Sequence, residues 1–126
     1  MTHARKTALI NIRGWLEGSQ DGLELAQRFI QDDAANNWYN FGWTFPHQQV
    51  TGHWYAFFGL HVDDGNVDWF LNQLRHLATL AASGAKPLIR GLFVISNEEK
   101  TMSQVHVRDG HVHITPGDPK LAYLDA

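Results

Sequence analysis

The dipeptide Asp109-Gly110 constrains the fold most, because it separates two segments in which apolar and polar residues alternate. Asp-Gly is preferred in two-residue type I′ turns, whose twist matches that of paired strands. The sequence therefore predicts an antiparallel hairpin over residues 104–114, and the length of the turn fixes its register. The predicted cross-strand pairs are Arg108 with His111, Val107 with Val112, His106 with His113, and Val105 with Ile114.

Four further segments have the composition and periodicity of strands. Gly14 is expected to end the first of them. The second and third are rich in aromatic residues and are expected to pair with each other as a long hairpin. The predicted strands span residues 8–13, 38–45, 51–62 and 88–96.

Two segments have apolar residues at helical spacing. Asp21 and Glu24 resemble a capping box that opens the first helix, and Asp63-Asp64-Gly65 offers cap residues for a second helix from Val67 to Ala81. The order is therefore β-α-β-β-α-β followed by the hairpin. This order predicts a single α+β domain, residues 1–126, with a mostly antiparallel, ferredoxin-like sheet and two helices on one face.

The composition limits the environment of the protein. The 126 residues include no cysteine, so disulfides and thiolate metal sites are excluded. No apolar run has the length of a signal peptide or of a membrane span. We expect a cytoplasmic protein that does not enter a membrane.

Acidic residues are concentrated in one part of the chain. Residues 14–74 hold eight acidic side chains and one basic one, although the net charge of the whole chain is only −3. An acidic face attracts basic proteins and repels nucleic acid, so we expect no direct nucleic-acid binding. Alternatively, these acids only cap and solvate two helices. The candidate contact residues are Asp32, Asp33, Asp63, Asp64 and Asp68.

Aromatic residues fall on both faces of the predicted hairpin over 38–62, whereas helices can cover only one face of an open sheet. Some rings should therefore be exposed, as in protein-binding surfaces. Trp38 and Trp43 lie on opposite faces of the predicted strand, so at most one should be buried. We take both as candidate partner contacts; a sheet covered on both faces and a homodimer interface are the alternatives.

The C-terminal hairpin offers a candidate metal site, because His106, His111 and His113 should share one surface. Three imidazoles can bind Zn²⁺ or Ni²⁺, but Arg108 lies among them and opposes a dication. The sequence contains no HExxH motif, no GxSxG motif and no Gly-rich phosphate loop. We therefore expect no catalytic residues, no metal and no cofactor. The alternative is a small-ligand or metal-dependent enzyme on a dimeric ferredoxin-like fold.

Four short motifs distributed along the chain carry a family resemblance. They are Gly14-Trp15, Arg90-Gly91-Leu92-Phe93, Val107-Arg108-Asp109-Gly110, and Asp118-Pro119 with Leu121. In these motifs the chain resembles the bacterial immunity proteins of polymorphic-toxin and contact-dependent growth-inhibition systems, in particular the group called Immunity protein 7.

The resemblance implies a cytosolic antitoxin. Such a protein binds the C-terminal toxin domain of a secreted or surface protein and blocks its active site or the access of substrate. Many of these toxins are basic nucleases, which suits the acidic segment. We expect a cognate toxin domain as the partner, and an immunity protein that is a monomer or a weak homodimer.

Overall fold

The computed structural model describes residues 9–33, 38–46, 52–80 and 88–125. These residues form an α+β fold in which two α-helices pack on a six-stranded antiparallel sheet. The strands are β1 (Leu9–Ser19), β2 (Trp43–Thr44), β3 (His53–Asp63), β4 (Ile89–Asn97), β5 (Met102–Arg108) and β6 (His111–Pro116). The helical segments are α1 (Gln20–Asp33), the aromatic 3₁₀ helix (Trp38–Gly42), a 3₁₀ turn (Asp64–Asn66), α2 (Val67–Leu80) and the C-terminal 3₁₀ helix (Pro119–Asp125).

The strand order is β2-β3-β1-β4-β5-β6, and each neighbouring pair is antiparallel. The first four strands have the order of a ferredoxin-like sheet built from two interleaved β-α-β units. The hairpin of β5 and β6 extends this sheet beyond β4. The predicted fold class and order of elements are therefore confirmed. Among the described helices, none has the length and apolar character that crossing a membrane requires.

The hydrophobic core lies between one face of the sheet and the two helices, which contact each other. Every second side chain of a strand points into this core, and the others lie on the opposite face, which we call the open face. The largest fully buried side chains are Phe70, Phe93, Ile12, Leu16, Leu23, Leu74, Leu77, Val62, Val105 and Val107.

β1 continues through Gly14 to Ser19, so the prediction that Gly14 ends this strand is wrong. Gly14 pairs with Phe58 on one side and Phe93 on the other. A Cβ atom at Gly14 would lie 2.2 Å from the carbonyl oxygen of Leu92. The glycine therefore permits close approach of a neighbouring strand, and it is not a turn signal.

α1 begins directly after β1, so the last residue of the strand, Ser19, caps the helix. The hydroxyl of Ser19 accepts a hydrogen bond from the backbone N–H of Gly22 at 3.1 Å, so the predicted capping box at Asp21 is wrong. The predicted inner face is confirmed, because Leu23 and Ile30 are buried.

The predicted strand over 38–45 and its long hairpin are also wrong. Residues 38–42 form the aromatic 3₁₀ helix, and β2 contributes only two residues that pair with β3. Trp43 Nε1 donates to Gln73 Oε1 at 2.9 Å, and Gln73 Nε2 donates to Asn40 Oδ1 at 2.6 Å. Gln73 can reach both Trp43 and Asn40 only if these two side chains point to the same side of their own segment. Residues three apart do so in a helical turn, whereas in a strand they point to opposite faces.

The C-terminal hairpin has the predicted turn and register. Asp109 and Gly110 both have positive φ angles, 54° and 77°, as a type I′ turn requires. The four predicted cross-strand pairs are all present. The hairpin prediction is confirmed.

Candidate binding surfaces

Five acidic residues from two segments of the chain meet at one end of the fold. α1 doubles back along β1, so its last turn returns toward Leu9, which pairs with Asp63 at the end of β3. The aromatic 3₁₀ helix links the two groups: Asn40 Nδ2 donates to Asp33 Oδ2 at 3.5 Å, and the Tyr39 hydroxyl donates to Asp63 Oδ2 at 3.3 Å. We call this region the acidic end; it consists of Asp32, Asp33, Asp63, Asp64 and Asp68.

The acids of this region differ in their surroundings. Asp32, Asp64 and Asp68 are exposed, and within the part of the chain that the structure describes they form no ion pair. Asp63 is half-buried; its carboxylate accepts a hydrogen bond from Asn66 Nδ2 at 2.6 Å and does not cap the 3₁₀ turn. Three carboxylates are thus exposed at the surface, whereas Asp63 also holds the local fold together.

Of the two tryptophans predicted as contacts, Trp43 has a side chain that the structure describes, whereas the side chain of Trp38 lies outside the described part. Trp43 is only 7% exposed and packs against core phenylalanines, so its burial removes it from the candidate contacts. Trp38 begins the aromatic 3₁₀ helix, so the argument from opposite strand faces does not apply to it. Phe41 of the same helix is 61% exposed and presents a large apolar side chain at the surface.

The histidines of the C-terminal hairpin are brought together as the register predicts. His106 pairs with His113, and the rings of His111 and His113 lie 6.2 Å apart. His106 Nε2 is 3.2 Å from the hydroxyl of Thr115. No three His, Asp or Glu side chains in residues 9–33, 38–46, 52–80 and 88–125 are arranged to hold a metal ion.

A second surface was not predicted and lies on the open face, at the centre of the sheet. Trp15 of β1 is the cross-strand partner of Phe57 in β3, and Glu17 is the partner of Tyr55. These four side chains line a shallow cavity of ≈ 430 Å³, which we call the aromatic cavity. Phe57 is 46% exposed, and the rings of Tyr55 and Phe57 are stacked with a 6.1 Å separation of their centroids.

Glu17 supplies the negative charge of the aromatic cavity. His53 Nε2 lies 2.9 Å from Glu17 Oε2, and this hydrogen bond is the main cause that lowers the pKa of Glu17; burial of the carboxyl group opposes it. The Trp15 side chain also donates a hydrogen bond to Glu17, and the charge of Arg90 acts in the same direction. The Glu17 carboxylate is therefore ionised at neutral pH and is held in place by its hydrogen bonds with His53 and the Trp15 side chain.

The C-terminal 3₁₀ helix covers the other half of the open face. Asp125 Oδ1 accepts hydrogen bonds from Arg13 at 3.2 Å and from the Ser96 hydroxyl at 2.9 Å. The backbone N–H of Asp118 donates to Gln104 at 2.8 Å. These contacts hold the C-terminal segment against β1, β4 and β5, whereas Phe57 at the aromatic cavity is 46% exposed.

The aromatic cavity was missed because β1 was predicted to stop at Gly14, which left Trp15 and Glu17 outside the sheet. The alternation of β3 did carry a signal, since Tyr55 and Phe57 fall on the face opposite the buried Ala56 and Phe58. Their partner on β1 could not be identified without the register.

No family model, curated protein or solved structure matches this chain.

Proposed function

We propose that this protein is an immunity protein, an antitoxin that binds a cognate basic toxin domain and blocks its active site or the access of substrate. The observation that carries the proposal is the acidic end, where the fold joins acids of two segments around the aromatic 3₁₀ helix. The family resemblance in the sequence supports the same role. A cytoplasmic location and a nuclease as the toxin are parts of the proposal.

The arrangement at the acidic end suits rapid capture of a basic protein. Asp32, Asp64 and Asp68 project exposed carboxylates, which raise the rate of encounter with a cationic partner. Phe41 lies in the adjoining helix, and a large ring that becomes buried on binding slows dissociation.

The acidic end is also joined to the core by hydrogen bonds. Asn40, which donates to Asp33, itself accepts from the buried Gln73, and Gln73 accepts from Trp43. A surface that is ordered before binding loses less conformational entropy when the partner docks. The network therefore supports tight binding without rearrangement of the immunity protein.

The proposal predicts that the adjacent upstream reading frame encodes the toxin domain, and the test co-expresses that domain with this protein in a bacterial host. The wild type should restore growth and form a stable complex. The triple variant Asp32→Asn, Asp64→Asn, Asp68→Asn should associate about ten-fold more slowly at low salt, with a weaker salt dependence and a nearly unchanged dissociation rate.

A charge-matched control separates this local effect from net charge. The variant Asp21→Asn, Glu24→Gln, Asp109→Asn also removes three negative charges, but at the opposite end of the fold. The sequence Asn-Gly that it creates at 109–110 still suits the type I′ turn. Its association rate should fall much less. Equal losses in the two variants would refute the role of the acidic end, and failure of the wild type to neutralise the toxin would refute the proposed function.

A further inference from the structure

The aromatic cavity combines two features that attract cations. Aromatic rings present negative faces to a cation, and Trp15, Tyr55 and Phe57 surround the space. Glu17 adds a carboxylate at the same place, fixed by His53 and by the Trp15 side chain. A carboxylate beside three rings offers both charge pairing and stacking to a single bound group.

From this geometry we infer that the aromatic cavity binds an arginine side chain of a partner polypeptide, with its guanidinium against the rings and paired to Glu17. This site is distinct from the acidic end, because it lies on the open face at the middle of β1 and β3. The inference does not depend on the partner being a toxin.

The protein's own Arg90 indicates why a guanidinium fits. Arg90 Nε lies 3.7 Å from Glu17 Oε1, which is too long for a hydrogen bond, and the Arg90 side chain is 63% exposed. Arg90 therefore lies near the carboxylate without forming a hydrogen bond to Oε1, and its exposed side chain can turn away into solvent. A planar guanidinium can stack on a ring and pair with a carboxylate at the same time, whereas an ammonium is a strongly hydrated point charge.

The shape of the cavity points to a polypeptide and not to a free small molecule. Sites for small ligands enclose most of the ligand surface, whereas this cavity is a shallow depression between neighbouring strands. A single side chain can occupy it only if the rest of its chain binds across the open face. The exposed ring of Phe57 and the accessible half of the sheet provide that surface.

The experiment titrates the protein with two pentapeptides that differ only at the central residue, which is arginine or the neutral isostere citrulline. Binding is followed through the NMR signals of the Trp15 indole N–H and the Phe57 ring. The arginine peptide should give saturable shifts and bind about five-fold more tightly than the citrulline peptide. Equal binding of the arginine and citrulline peptides would overturn the inference.

Variants test the residues of the cavity. Glu17→Gln should weaken binding of the arginine peptide about five-fold, and Phe57→Leu about two- to five-fold, the range of exposed cation–π contacts. Phe57 is exposed, so this second variant keeps the test valid if Glu17→Gln does not fold. Glu99→Gln, an exposed carboxylate outside the cavity, is the control and should bind as the wild type does.

Two outcomes would each refute the inference while leaving the proposed function untouched. One is unchanged binding in both cavity variants. The other is binding of free N-acetyl-arginine amide as tightly as the peptide, which would identify a small-molecule site in place of a polypeptide site. Loss of toxin neutralisation in the acidic-end variant alone bears on the proposed function and not on the cavity.

Discussion

Replacing Gln73 with leucine should destabilise the protein by about 2 to 4 kcal/mol. Gln73 is 3% exposed and joins the Trp43 indole N–H to the Asn40 side-chain carbonyl, both of them in buried residues. Leucine has a similar volume but offers neither donor nor acceptor. Each of the two groups left unpaired costs about 1 to 3 kcal/mol, and the added apolar burial offsets part of this sum.

The assay is urea unfolding followed by tryptophan fluorescence and, separately, by circular dichroism. Gln31→Leu provides the control, because Gln31 is exposed on α1 and its replacement should change the free energy of unfolding by less than about 0.5 kcal/mol. In the background of Trp43→Phe, which lacks the indole N–H, the cost of Gln73→Leu should fall by about 1 kcal/mol or more. A loss below about 0.5 kcal/mol for Gln73→Leu, or full additivity with Trp43→Phe, would refute this account of the buried network.

Three further predictions concern the sheet. Val107→Asp should cost several kcal/mol in thermal melts because it buries an unpaired charge at a residue that is 1% exposed, whereas His106→Ala should cost little; similar losses would mean that the faces of the hairpin are reversed. Gly14→Ala should lower the melting temperature by several degrees or more, since its Cβ would lie 2.2 Å from a backbone oxygen, while Gly59→Ala on the adjacent strand meets no atom within 4 Å and should be tolerated. Folding lowers the pKa of Glu17, so the ionised Glu17 carboxylate stabilises the folded protein. This stabilisation is fully present at a pH above the ordinary pKa of 4.5 and is lost as the pH falls through the lower pKa of the folded protein. Glu17→Gln should therefore be less stable than the wild type at pH 7 by up to about 1 kcal/mol, with the difference disappearing in acid unfolding curves; a constant difference down to pH 3 would contradict this.

Local signals predicted the elements whose geometry is local. The Asp109-Gly110 turn sets the hairpin register through backbone angles that these two residues adopt readily. The inner face of α1 follows in the same way from the spacing of Leu23 and Ile30 along one helix. Neither prediction needs information about a distant part of the chain.

The wrong predictions share a cause, which is a partner far away in the sequence. Gly14 looks like a strand terminator until Phe93 of β4 is known to pack against it. The segment around Asn40 alternates like a strand, but its conformation is governed by hydrogen bonds to Gln73 on α2. In both cases a tertiary contact overrides a local preference.

For the candidate surfaces too, the sequence predicted which residues are charged or aromatic, but not where the fold places them. Charge counting alone singled out Asp32 and Asp64 as members of an acidic segment, but only the return of α1 along β1 brings their two groups to one end. Trp43, one of the two candidate tryptophan contacts, is a core residue because its ring packs against phenylalanines of β3, α2 and β4.

By itself, the sequence determined the fold class, the order of the elements, the C-terminal register and the uneven charge, because each depends on spacing or composition within a short stretch of chain. Only the tertiary structure decided that Trp15 and Glu17 stand beside Phe57 and Tyr55 on the open face. These partners are distant in sequence, and their pairing follows from the register of β1 between β3 and β4, which the packing of the whole sheet against its helices determines.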